Sequence, residues 1–319
     1  MRIFRYVTDI LMVTRPVLLI PVWGFSALGF HRALHLQQKT SLLITDSLNA
    51  YFLILLFSLS VASVYILNQI ADIEVDKDNG GMPLIANGVI SLPTSWGAAI
   101  FFALVPVITG VIIHKHIIAI SSVATIILGY IYSFKPFRFS GRPIADFISN
   151  AAGYGIIAFG VGWVCGGMPV ASHEFLQSVL PYFLLMCAGS ISSTLPDYEG
   201  DRKDGKNTTA VVFGLTVAHL SALAALGAAL CVSLVQNDHF AAICAAVSFP
   251  FYIGYLIRRN DFFMESTYKI GGGLCMVAAF LSMPLFLIPS FIVFAATWLY
   301  FRIRHGINYP SLVPVNKNQ

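Results

Sequence analysis

The chain has 319 residues, 57% of them hydrophobic and 11% charged, with mean hydropathy +0.78 and a formal charge of +4. That composition is too apolar for a water-soluble globule, and runs of about 18 or more apolar residues recur along it, the length a helix needs to cross a bilayer. The modest positive charge lies in short segments between those runs and gives no reason to expect a nucleic-acid partner.

Taken in chain order, Arg2, Arg5 and Arg15 precede a first apolar run at 16–34. No small-residue cleavage site follows it, so the run reads as a retained anchor. Further spans are expected at 50–71, 94–113, 117–134, 145–167, 175–196, 213–235 and 240–257, and a last apolar run extends from about 270 to 301. That last run is long for one upright helix and short for two, and Pro284 and Pro289 are placed to break it. The expected fold class is therefore all-α, a polytopic membrane protein with about nine transmembrane helices. Short connections make residues 1–319 a single membrane-embedded domain.

Basic residues set the expected orientation. With the N-terminus in the cytosol, the inner segments hold Arg2, Arg5, Arg15, Lys77, Lys135, Arg138, Arg142, Arg202, Lys203, Lys206, Arg258, Arg259 and Lys269, and the outer loops only Arg32, Lys39 and Lys115. This asymmetry predicts a multi-pass protein of the bacterial inner-membrane kind. Arg302, Arg304 and Lys317 fall outside in a nine-span arrangement, which favours a re-entrant or tenth segment.

Two acidic segments carry the chemistry. Asp72-Ile-Glu74-Val-Asp76-Lys77-Asp78-Asn-Gly80 and Asp197-Tyr-Glu199-Gly-Asp201-Arg202-Lys203-Asp204-Gly205 share the pattern Asp-x-Glu-x-Asp-[Lys/Arg]-x-x-Gly and together hold eight of the fifteen carboxylates. Each ends an apolar run, and the orientation puts both on the cytosolic side, one per related half, at 68–80 and 197–206. Asn68, Asp72 and Asp76 recur every four residues, and Asp197, Asp201 and Asp204 at i, i+4 and i+7, so each set forms one face of a helix. Carboxylates stacked in this way repel unless a cation lies between them, and Mg²⁺, bound through a few carboxylates and a substrate's phosphates, fits that need. Acids at span ends are functional candidates by default. Basic residues near by, Arg15, Lys135, Arg138, Arg142, Arg202, Lys203 and Lys206, suit phosphate, although membrane anchoring also accounts for them. Neither the five cysteines, all inside apolar runs, nor the eight histidines show metal-ligand spacing.

The combination resembles the UbiA superfamily of intramembrane prenyltransferases. Asn68-Gln-Ile-Ala-Asp72-Ile-Glu-Val-Asp76 is similar to that family's Asn-x-x-x-Asp-x-x-x-Asp, and Asp197-Tyr-Glu-Gly-Asp201-Arg-Lys-Asp204-Gly205-Lys206 to its second acidic motif with a basic Gly turn. Tyr132-Ser133 with Lys135, and Arg15-Pro16, match further stretches, all in order between residue 15 and about 214. The resemblance implies an all-α fold of about nine transmembrane helices around a central cavity, and transfer of a prenyl group from a prenyl diphosphate to a lipophilic acceptor, aromatic or a quinone precursor, with Mg²⁺ as cofactor and the lipid bilayer as surroundings. It assigns metal binding to Asn68, Asp72, Asp76, Asp197, Asp201 and Asp204, and a catalytic part to Asp72, Asp76, Asp197, Asp201, Lys135 and Tyr132. Diphosphate contacts would come from Asn68, Lys77, Arg138, Arg202, Lys206 and Arg15. One departure is plain: Gly80-Gly81-Met82-Pro83 stands where many members carry an Arg-Pro step.

Ionisation of the allylic diphosphate would leave a cation in an apolar interior, where the π faces of Phe57, Tyr65, Tyr130, Phe159 or Trp163 are candidate partners. No side chain is an obvious base for the acceptor. Within the same superfamily, a terpene cyclase or carotenoid elongase would share the metal site. Outside it, an ion-coupled transporter would place its acids nearer the bilayer midplane, and a CDP-alcohol phosphotransferase would keep its acids in one continuous stretch.

Overall fold

Residues 2–39, 44–79 and 83–311 are described in a computed structural model, and among them the secondary structure is helical, with no strand. The stretch Gly80–Met82 and Lys317 lie outside the described residues. The chain forms α1 (Arg2–Val13), α2 (Leu19–Leu36), α3 (Ile44–Ala71), α4 (Ile73–Asn79), α5 (Pro83–Ala86), α6 (Leu92–Ile112), α7 (His116–Ser133), α8 (Ala145–Ala151), α9 (Phe159–Cys165), α10 (His173–Thr194), α11 (Tyr198–Lys203), α12 (Thr209–Val235), α13 (His239–Arg258), α14 (Asp261–Phe280) and α15 (Leu287–His305). A π turn, Ala152–Ala158, joins α8 to α9 in one rod.

Side-chain caps start several of these helices. Ser91, Ser172, Asp238 and Asn260 accept hydrogen bonds from the backbone N–H three residues on, at the heads of α6, α10, α13 and α14. Nine helices among the described residues are long and apolar enough to span a membrane. The 20-residue α14 makes a further traverse of the bundle but is more polar.

The last apolar run is resolved as two helices. The chain breaks after Phe280, and Pro284 opens a 3₁₀ turn that leads into α15. Proline at the start of a helix costs no hydrogen bond, so Pro284 and Pro289 begin α15 rather than kink it. The end of α15 consequently returns to the face that carries α1. Arg304 Nη2 lies 3.1 Å from Asp9 Oδ2, and Tyr300 donates its hydroxyl hydrogen to Asp9 Oδ1 at 2.5 Å. Arg302 and Arg304 thus share a side with the N-terminal segment, which removes the conflict that nine crossings created.

Most of the core lies between α2, α3, α9, α10 and α12–α14. Its tightest seam joins α2 to α9, where a Cβ added at Gly29 would overlap the Phe159 carbonyl and one at Gly162 the Ser26 carbonyl. Small residues allow this backbone approach. Ser26 also donates to the Ala158 carbonyl at 2.8 Å, at the end of the π turn. At the far end of the bundle a buried ion pair, Arg32 Nε to Asp238 Oδ2 at 3.5 Å, is completed by the Tyr182 hydroxyl at 2.9 Å, which ties α2, α10 and the head of α13 together.

Candidate functional site

Both acidic segments lie at the same end of the bundle. In the first, α3 stops at Ala71 and α4 starts at Ile73, and backbone bonds bridge the join, Asp72 N to Asn68 O at 3.0 Å and Asp76 N to Asp72 O at 2.8 Å. Asn68, Asp72 and Asp76 therefore share one helix face, as their spacing predicts. Asp72 Oδ2 accepts from Asn68 Nδ2 at 3.1 Å, and Asp72 Oδ1 accepts from Arg138 Nη2 at 3.2 Å. Arg138 holds a left-handed backbone conformation, φ 40°, which turns the chain back after α7 and aims its guanidinium at α3.

In the second segment Lys206 Nζ lies 3.2 Å from Asp201 Oδ1, and Gly205, at φ 67°, ends α11 in the left-handed region that suits glycine. The following residues are stitched to the 139–146 turn. Asn207 N donates to Gly141 O at 3.1 Å, and the buried Asp146 carboxylate accepts from Thr209 N at 2.7 Å and from the Thr209 hydroxyl at 2.6 Å. Asp146 was not singled out by the sequence, because a lone acid carries no pattern.

Asp76 connects the two segments. Burial pushes its carboxyl above the ordinary carboxylate range, opposed by the positive charges of Arg15 and of Lys206, and reinforced by Asp72. A residue of the first segment thus lies in the field of a lysine of the second. Arg15, also left-handed at φ 49°, has a buried Nε that makes no hydrogen bond among the described residues. Tyr132 is half-buried and its hydroxyl accepts from Asn150 Nδ2 at 3.4 Å, while Asn150 also donates to Ser190 at 3.0 Å.

The remaining sequence candidates are less tightly gathered. Lys77, Lys135 and Arg202 are exposed and make no ion pair among the described residues. Asp197 is exposed at the end of the 3₁₀ turn Leu195–Asp197, in electrostatic reach of Tyr268, and Asp204 is half-buried. Among the described residues no three His, Cys, Asp or Glu side chains come close enough to hold a metal ion. The six-residue metal set is therefore not assembled as a preformed cage; Asp72 and Asp201 lean on Arg138 and Lys206 instead. Of the aromatic candidates, Phe57, Phe159 and Trp163 are fully buried packing residues, and Tyr130 is exposed on the outer surface, stacked on Phe134. Tyr65 alone of the five sits under the acidic rim, its hydroxyl paired with that of Tyr154 and donating to Leu18 O at 3.0 Å. Gln69, next to Asn68, is a buried strut that donates to Val13 O at 2.6 Å.

The sequence profile of the UbiA prenyltransferase family matches residues 18–262. The chain belongs to that family. A probable homogentisate phytyltransferase 2 of Oryza sativa is 33% identical over 58% of this chain and 48% of its own, and a homogentisate solanesyltransferase of Arabidopsis thaliana 33% over 61% and 48%. Both are chloroplastic, and the chain spans about half the length of the curated relatives it matches. Among solved structures, a UbiA homologue from Archaeoglobus fulgidus bound to DMAPP and Mg²⁺ superposes with TM-score 0.62 at 22% identity, covering 90% of this chain and 99% of that one. At that identity the likeness establishes the fold. In this UbiA-family chain the donor set suits a hard divalent ion: it offers only oxygen, and Asp76 is a part-buried carboxylate that burial holds above its ordinary range despite Arg15 and Lys206.

Proposed function

We propose that this chain transfers a prenyl group from a prenyl diphosphate to a lipophilic aromatic acceptor within the bilayer, with Mg²⁺ as cofactor. The observation that carries the reading is the convergence of the two acidic segments on one rim, with Arg15, Arg138 and Lys206 placed among them. The A. fulgidus homologue binds DMAPP and Mg²⁺, and the plant relatives are named for aromatic acceptors, homogentisate and acylphloroglucinols.

Asn68, Asp72, Asp76, Asp197, Asp201 and Asp204 would hold the metal, which supplies positive charge against the diphosphate as the allylic C–O bond breaks. Arg138 and Lys206, paired with Asp72 and Asp201 in the free protein, turn to the phosphoryl oxygens, and Arg15 brings a guanidinium whose Nε makes no hydrogen bond among the described residues. The diphosphate leaves with the bonding electron pair, the acceptor ring carbon attacks the allylic cation, and that carbon then loses its hydrogen as a proton to the departed diphosphate or to water, which restores the aromatic ring. The apolar walls below the rim hold the prenyl tail and exclude water from the cation. Tyr65 and Tyr132 lie beneath the rim as the nearest oxygen and π surfaces. By the distribution of basic residues, the rim faces the cytosol or its equivalent compartment.

The test is a product assay. Membranes containing the chain are incubated with prenyl diphosphates of several lengths and candidate phenols, with and without Mg²⁺, and lipid products are identified by mass spectrometry. Wild-type protein yields a prenylated aromatic only with Mg²⁺, and Asp72→Ala and Asp197→Ala yield none. Unchanged product formation in both variants would overturn the assignment.

A further inference from the structure

The helix that the apolar pattern hides carries a charged pair on its inner face. In α14, Lys269 Nζ lies 2.5 Å from Glu265 Oε2, one turn away, and the Glu265 side chain is only 9% exposed. Lys269 falls about 12 Å along the helix from its start at Asp261, at 1.5 Å per residue, well inside the traverse.

The direction of the pair follows from its neighbours on the helix. Residues 265, 269, 272 and 276 form one stripe at i, i+4, i+7 and i+11. Met276 on that stripe packs against Gly24 of α2, where a Cβ would overlap its sulfur, so the stripe faces the bundle interior. Leu274 and Val277 of α14, and Leu281 just past its end, lie on the opposite side and are exposed. Beside the pair, a Cβ built on Gly272 meets no atom within 4 Å, so the interior stripe opens on free space next to Lys269. Tyr268, adjacent, is in electrostatic reach of Asp197, which places the pair level with the second acidic segment.

An ion pair on an inward face costs more desolvation than a packed apolar pair of the same volume. Ionisable groups inside membrane helices mark ligand sites by default. The diphosphate contacts already have their basic residues on the rim, in Arg15, Arg138 and Lys206, none of which lies on α14. We infer that Lys269 binds the acidic group of the aromatic acceptor, a carboxylate or an acidic phenol, and that Glu265 is its positioning residue, holding the ammonium beside the space at Gly272. The inference rests on the prenyl-transfer reading of the same interior and names the class of acceptor: a phenol that carries an anionic oxygen. The ring then lies beside Gly272 and Tyr268, below the diphosphate rim.

The experiment measures acceptor binding apart from turnover. Purified protein in nanodiscs is titrated with homogentisate, used as a hydroxylated aryl-acetate probe, and with its neutral methyl ester. KM values for both and for the prenyl diphosphate are measured in parallel. Wild-type protein prefers the acid. Lys269→Met weakens acid binding by about tenfold or more, the scale of one charge-assisted hydrogen bond, leaves the ester unchanged, and leaves KM for the prenyl diphosphate unchanged. Lys269→Arg restores part of the acid preference, and Glu265→Gln reduces it without abolishing it. A merely structural pair would lower thermal stability and affect both probes equally. Equal affinity of wild-type protein for acid and ester, or an acid preference that survives in Lys269→Met, overturns the inference. An acid preference abolished in Lys269→Met, with no Mg²⁺-dependent turnover in wild-type protein, supports the acceptor site and rejects the diphosphate reading instead.

Discussion

Asp146 ties the loop after the second acidic segment to the bundle, and its removal has a calculable consequence. Its carboxylate is 2% exposed and accepts from Thr209 N at 2.7 Å, the Thr209 hydroxyl at 2.6 Å and Phe147 N at 2.8 Å. In Asp146→Ala the Thr209 N–H and hydroxyl lose their common acceptor in a buried place, at about 1–3 kcal/mol each, and the expected local cost is about 3 kcal/mol. Since about 1.4 kcal/mol is a factor of ten, amide exchange in the peptide spanning 205–212 should accelerate by about 100-fold, whereas the peptide at the far end around Tyr182 stays protected. Asp146→Asn keeps the shape and one acceptor and should give about tenfold. Hydrogen–deuterium exchange in nanodiscs reads this directly. Exchange in Asp146→Ala within about threefold of wild type, with the fold intact, would refute the reasoning that the second segment is held by this carboxylate.

Other consequences follow from the same contacts. The return of α15 to the N-terminal face means that single cysteines replacing the exposed Glu74 and Ile307 react with an impermeant thiol reagent from the same side of sealed vesicles; labelling from opposite sides contradicts ten crossings. Gly162→Val drives a side chain into the Ser26 carbonyl and should cost about 3 kcal/mol, seen as a fall in thermal stability, while Gly273→Ala, with open space around it, should change little. Burial raises Asp76, so the folded state binds its proton more tightly than the unfolded chain does. Its charge therefore lowers stability above the folded value, and that stability returns as pH falls through it. On the proposed function Mg²⁺ would take over the proton's role, so added Mg²⁺ should raise Tm more at about pH 8 than at about pH 5, and Asp76→Asn should shrink that difference. Equal Mg²⁺ shifts in Asp76→Asn and wild type would remove Asp76 from the ligand set.

The parts of this molecule legible in the sequence are those written as patterns. Period-four spacing gave the face that Asn68, Asp72 and Asp76 share across α3 and α4, and apolar runs gave nearly every traverse, because hydropathy and helix period act locally. The part that escaped was α14. Glu265 and Lys269 interrupt its apolar run, and in sequence they look like the solvated end of a loop; only packing shows that they cancel each other on an inward face. Lys269 was accordingly counted among the anchoring charges, and the last run, long for one span and short for two, was left undivided at the point where the chain turns, Phe280–Pro284. Asp146 was missed for another reason: it acts through long-range bonds to Thr209, and nothing local marks it; the bond from Gln69 to Val13 is hidden in the same way. The aromatics erred in both directions, since a run of spans does not say which ring faces lipid, as Tyr130 does, and which fills the core, as Trp163 does.

The most direct test of the shared rim is the binding of a prenyl diphosphate, measured by calorimetry on purified protein with and without Mg²⁺, for wild type and for Asp72→Ala and Asp201→Ala, one acid from each segment. The two segments acting as one site predict tight, Mg²⁺-dependent binding in wild type and at least about a tenfold loss in each variant. Wild-type affinity in either variant, or binding indifferent to Mg²⁺, would contradict it.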